Sequence, residues 1–158
     1  MESYELEKTV WTEHDFDIMG WHDCRLWAMA ADTEAFEFSL DLDYIFQWVK
    51  PGPGEIHFKF WVCPVTMVFE NVHKVTIDIE SQQGIIDIDH LHKEEERTLD
   101  RGGLSEHLYR FECQEGEVSL RATGYKMYVR QPPRLIQEQH LDVRMRGGIS
   151  IEKNYVAA

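Results

Sequence analysis

The stretch FEFSLDLDYIF, Phe36 to Phe46, sets Phe36, Phe38, Leu40, Leu42, Tyr44 and Phe46 at every second position, with Glu37, Ser39, Asp41, Asp43 and Ile45 between them. A period of two sends successive side chains to opposite faces of a strand, whereas a helix would scatter the same residues around its axis. The stretch therefore reads as a half-buried β-strand with an apolar face and a polar face.

The same period recurs along the chain. It marks HFKFWV through Phe58, Phe60 and Val62, VTMVFE through Val65, Met67 and Phe69, and KVTIDIE through Val75, Ile77 and Ile79. GIIDID and YRFEC follow the rule, and YELEKTV, CRLWAMA and ISIE are shorter candidates. Turn residues punctuate these runs: VKPGPGE between strands 36–48 and 56–63, SQQG before 85–90, and CQEGE between 109–113 and 117–123. Such clusters favour hairpin connections.

In EVSLRATGYKMYVR the apolar residues shift from even to odd positions at Gly124, which predicts a bend in a long strand. Pro132 and Pro133 remove two donors in succession, so pairing is expected to stop there. Helical signal is scarce. Thr12 with Asp15 forms an approximate capping box ahead of Gly20, and PRLIQEQHL is a weaker helix candidate. The charged run 92–107, HKEEERTLDRGGLSEH, is expected to be a mobile loop. The fold expected is all-β with minor helix: one domain over 1–158, mainly antiparallel, a β-sandwich or flattened barrel with one or two short helices.

The 158 residues suffice for one core, and 43% hydrophobic content is that of a globular chain. No apolar run is long enough to span a membrane and the start resembles no export signal, so a cytoplasmic location without membrane association is expected. Cys24, Cys63 and Cys113 lack paired spacing and read as buried, reduced thiols. Residues 1–120 carry 9 Lys/Arg against 26 Asp/Glu, and residues 121–158 carry 7 against 3. An acidic body repels phosphate backbones, which argues against nucleic acid as a partner and leaves only the C-terminal third for a basic patch.

Two clusters invite metal or catalytic readings. His22, Asp23 and Cys24 adjoin at the entry to a strand, and neighbours in a strand point to opposite faces, so convergence would need a sharp kink. Asp23 is read as a turn cap, with His22 and Trp21 covering a sheet edge. His90 and His92 share a strand face, and with His57, or with His73 or His107, could hold zinc or iron. No metalloprotease, dinucleotide, P-loop or nucleophile-elbow motif is present, so no catalytic residue and no cofactor are expected.

The polar faces supply the candidate binding residues: Glu37, Asp41 and Asp43 on one strand, Asp78 and Glu80 on another, Asp87 and Asp89 on a third. Crowded carboxylates repel across a sheet, which points to a basic protein partner, to calcium, or to neutralisation by Arg121, Lys126 and Arg130.

The segments WHDCRLWAM, LDLDYIFQWV and FWVCPVTMVFENVHKVTIDI resemble a group of small bacterial proteins with a His-Asp strand opening and an F-x-N-V element, some similar to immunity-type proteins of toxin–immunity loci. The resemblance covers residues 4–80 and implies a small, acidic, cytoplasmic, β-rich protein. Two functions are therefore expected to compete. One is a non-enzymatic interaction domain that binds a basic partner through an acidic sheet face; the other is a small-ligand or metal site around Trp48, Trp61, His57, His90 and His92.

Overall fold

The computed structural model describes residues 3–100 and 102–157. In chain order it contains β1 (Val10–Thr12), a 3₁₀ helix (Glu13–Ile18), β2 (Arg25–Asp32), β3 (Glu37–Val49), β4 (Lys59–Glu70), β5 (His73–Ile79), β6 (Ile86–Thr98), β7 (Ser105–Cys113), β8 (Gly116–Ala122), β9 (Gly124–Val129) and β10 (Arg134–Ile136). Every pairing is antiparallel, in the order β1-β9-β4-β3-β2-β6-β7-β8-β5, with β10 added to β4. The all-β expectation holds. Its form is one ten-stranded sheet that does not close into a barrel.

The sheet bends so that its halves face each other. Phe69 on β4 lies 5.0 Å from Tyr109 and 5.8 Å from Phe111 on β7, ring centre to ring centre, although three strands separate β4 from β7 in the order. Only Thr123 divides β8 from β9, yet β8 lies between β7 and β5 while β9 lies between β4 and β1, so the chain crosses between halves at the predicted bend. A Cβ at Gly124 would lie 2.5 Å from the Glu13 carboxylate, which accepts from the Tyr125 amide, so a larger residue there would displace that side chain. Leu40, Leu42, Val65, Met67, Phe69, Ile88, Tyr109, Phe111, Leu120 and Tyr125 fill the space between the halves.

Several boundaries differ from expectation. The runs 56–63 and 65–70 are one strand, β4, and Pro64 sits where β4 exchanges β10 for β9 as its neighbour, so the missing donor interrupts little. The expected loop 92–107 is mostly strand: β6 continues to Thr98 and β7 begins at Ser105, joined by a tight hairpin in which the Leu99 amide donates to the Leu104 carbonyl; Arg101 lies outside the described residues. Lys93 to Arg97 is an unbroken charged run, so no apolar face marks it as a strand. PRLIQEQHL supplies β10, so pairing resumes directly after the two prolines, and ISIE forms no strand. The capping box at Thr12 and Asp15 is present, but it starts a 3₁₀ turn that ends at Met19 in extended conformation.

The outer face of β3 decides how the chain ends. Asp41 and Asp43, expected on a solvated acidic face, are fully buried. Arg146 donates to both oxygens of Asp41 (2.6 and 2.9 Å) and to Asp43 (3.0 Å), and its guanidinium stacks 4.6 Å from the Trp27 ring. Arg130 donates to Asp41 and Thr66, Trp27 to Asp43, and the amides of Leu141 and Ser150 to Asp43 and Asp41. Burial alone would disfavour the Arg146 charge, but the Asp41 hydrogen bonds and the two carboxylate fields more than offset it and raise its pKa above that of a free guanidinium. The segment after β10 is thereby strapped over the sheet, with Thr66 donating to the Glu152 carbonyl and the Val156 amide to the Arg130 carbonyl.

Removing one member of a buried ion pair leaves the other charged and desolvated, at a cost of about 3–5 kcal/mol, whereas an exposed pair contributes about 0–1. Arg146→Met is therefore expected to destabilise the protein by about 3–5 kcal/mol in urea titration and to speed amide exchange over 141–152. Lys153→Ala, which removes a partly exposed contact to Glu37, is expected to change stability by about 0.5 kcal/mol or less.

Candidate functional site

The entry to β2 contains the kink that convergence of its neighbours requires. Asp23 has φ 66°, a left-handed conformation that Asp adopts more readily than most residues. The Asp23 amide donates to the Ile88 carbonyl (2.7 Å) and the Ile88 amide to the Cys24 carbonyl (2.9 Å), tying the turn to the start of β6 and bringing Asp89 beside it. His22 Nε2 then lies 3.4 Å from Asp23 Oδ2. Side-chain ligand atoms of His22, Asp23 and Asp89 all lie within 4.8 Å of one another, the one such group of three among the described residues. The Asp23 Oδ2 accepts from Gln139 Nε2 at 2.8 Å, a bond that reaches across from the strap and does not lie within the turn. Trp21 is buried in the core and does not cover an edge.

Cys24 takes no part. It is buried, and desolvation pushes its thiol up to about 12, as it does that of Cys113; Cys63 is raised well above the ordinary value for the same reason. Thiols held protonated at neutral pH are poor nucleophiles.

A second device lies beside this turn. Continued alternation would place Trp48 on the core side with Tyr44 and Phe46, but the register slips between Ile45 and Gln47 and pairs Trp48 with Phe60 on the outer face. Trp48 there makes edge contacts with Phe60 (5.0 Å) and Phe58 (6.1 Å) and stacks on His22 (5.8 Å). These aromatics, with His57, Gln137 and Gln139, line an open slot of about 470 Å³. On the other side of His22, a cleft of about 360 Å³ is lined by Phe16, Trp21, Asp89 and His90 among others.

The remaining sequence candidates scatter. Trp61 lies on the opposite face from Trp48 and packs on Tyr4 (5.8 Å). His90 and His92 have ring centres 5.2 Å apart, but His92 faces Glu112 (3.4 Å), while His57 lines the slot, so those three do not form a group. His73 contacts Glu106 (2.6 Å) and His107 contacts Glu96 (3.2 Å). Burial would raise the Glu106 carboxyl, but hydrogen bonds from His73 and Arg121 outweigh it and hold it below the usual range.

The expected acidic face does not exist as one surface. Asp41 and Asp43 are buried with Arg130 and Arg146, Asp87 pairs with Arg25 (3.2 Å), Asp89 joins His22, and Glu37 faces Lys153 (3.9 Å). Asp78 on β5 and Glu80 just beyond it remain exposed. Of the expected neutralising cations, Arg130 binds Asp41, while Arg121 pairs with Glu106 and Lys126 with Glu70.

No helix among the described residues is long and apolar enough to cross a membrane. The chain matches no family model, no curated protein sequence and no solved structure.

The burial of all three thiols yields a direct expectation. Iodoacetamide at pH 8 should leave the native protein unmodified by intact mass, and should alkylate all three cysteines once urea has unfolded it.

Proposed function

We propose that this chain is a small-ligand-binding β domain whose binding surface is the slot formed by Trp48, His57, Phe58 and Phe60. The observation that carries the reading is the outward placement of Trp48 by the β3 bulge, since Trp48 and Phe58 stay about two-fifths exposed while neighbours hold their rings. Aromatic walls with a few amide and imidazole groups suit a planar ligand, and about 470 Å³ accommodates a small organic molecule. The net charge of −13, with Glu138 in the slot wall, favours a neutral or cationic ligand over an anion. The test is ligand-observed NMR with planar heteroaromatic fragments, neutral and cationic. Binders are expected to quench tryptophan fluorescence and to lose about tenfold in affinity in Trp48→Ala. Fragments that bind the variant equally well, or an absence of binders, would exclude the slot.

A second reading, a cytoplasmic bacterial immunity-type protein that binds a basic protein partner, is favoured by the same net charge and by the β5 edge. β5 pairs on one side only, its residues are almost all exposed, and Asp78 and Glu80 stand there without a cation in contact among the described residues. A basic partner co-purified from the native host should be lost when both are changed to Lys. Retention of the partner by that variant would remove the reading.

A further inference from the structure

We infer that His22, Asp23 and Asp89 form a binding site for a divalent first-row transition metal ion of the zinc or cobalt type. This inference does not rest on occupancy of the aromatic slot.

The geometry is close to that of a ligated site. Zinc–ligand bonds of about 2.0–2.2 Å place neighbouring ligand atoms about 3.3–3.6 Å apart in a tetrahedral site. The His22 Nε2 to Asp23 Oδ2 separation of 3.4 Å already falls in that range, and Asp89 offers a carboxylate oxygen within 4.8 Å of a ligand atom of each of the other two residues. The two aspartates belong to segments cross-linked by paired main-chain hydrogen bonds between Asp23, Cys24 and Ile88, so their carboxylates are held near each other before any ion arrives.

The surrounding groups are those of a metal site. Gln139 donates to the Asp23 carboxylate and orients it, as outer partners of ligating carboxylates do. The Trp48 ring, stacked on His22, fixes the imidazole plane. His22 and Asp89 open into the 360 Å³ cleft, in whose wall His90 also stands. Trp21, which also lines that cleft and is almost wholly buried, keeps an indole N–H with no hydrogen-bond partner. One imidazole and two carboxylates suit zinc, cobalt or nickel; three donors are too few for calcium, and the absence of sulfur disfavours copper(I).

The experiment uses the full chain without an affinity tag, stripped by chelator and titrated with cobalt(II) and then zinc(II). Isothermal titration and cobalt d–d absorption are the readouts, with near-ultraviolet circular dichroism as the check on folding. One equivalent of cobalt is expected to bind, to be displaced by zinc, and to quench Trp48 fluorescence through its contact with His22. His22→Ala, Asp23→Asn and Asp89→Asn should each weaken binding at least about tenfold, while His57→Ala and His92→Ala leave it unchanged. Trp48→Phe should lose the quench and keep the binding, which separates this site from the slot. Absence of saturable binding, binding that survives Asp89→Asn and His22→Ala in folded protein, or binding that depends on His57 or His92 would overturn the inference.

Discussion

Arg146 lies across Asp41 and Asp43, three charges and their hydrogen bonds withdrawn entirely from water beneath the last turn of the chain. Ionised groups in such a place are tolerated only when every lone pair and N–H finds a partner, and here the partners come from Arg130, Trp27, Thr66 and the amides of residues 141 and 150. This cluster lets β3 be buried on both faces, apolar toward β7 and ionic toward the strap. Gln137 and Gln139, which precede the anchored residues in the strap, line the slot, and Gln139 also holds Asp23. Both candidate sites are thus assembled against a surface that the ion cluster holds in place.

The uneven charge along the sequence finds its explanation in the same arrangement. Of the seven basic residues of the C-terminal third, Arg121, Lys126, Arg130, Arg146 and Lys153 each face a carboxylate from earlier in the chain, while Arg134 and Arg144 stay exposed. A large local excess of one sign is balanced by folding, and the residual negative charge is left to the surface.

Alternation marked most of the strands, because inward and outward positions differ in kind wherever a single face is buried, but it missed β10 and the charged end of β6. It could not show that the outer face of β3 is covered: Asp41 and Asp43 occupy the positions where solvated residues normally stand, and their partner Arg146 is 105 and 103 residues away. A pair of carboxylates inside one of the most apolar runs, with an Arg-Gly-Gly turn in an otherwise basic tail, was the available signal. The sites failed to show for a different reason. Register slips at Ile45/Gln47 and the left-handed backbone at Asp23 reverse which side residues face, so Trp48 and His22 lie where strict alternation would not put them. Phe60 and Gln139 carried no local mark of their role.

The distance between the ends of the ion cluster bears on how the protein is made. A nascent chain emerging from the ribosome can pair β2, β3 and β4 as hairpins early, since their contacts are nearly local, but Asp41 and Asp43 must stay hydrated until residue 146 has cleared the exit tunnel. The outer face of the first strands is consequently the last surface to be dehydrated, and the two aspartates keep the half-finished sheet wet on the side where a wholly apolar strand would invite premature association.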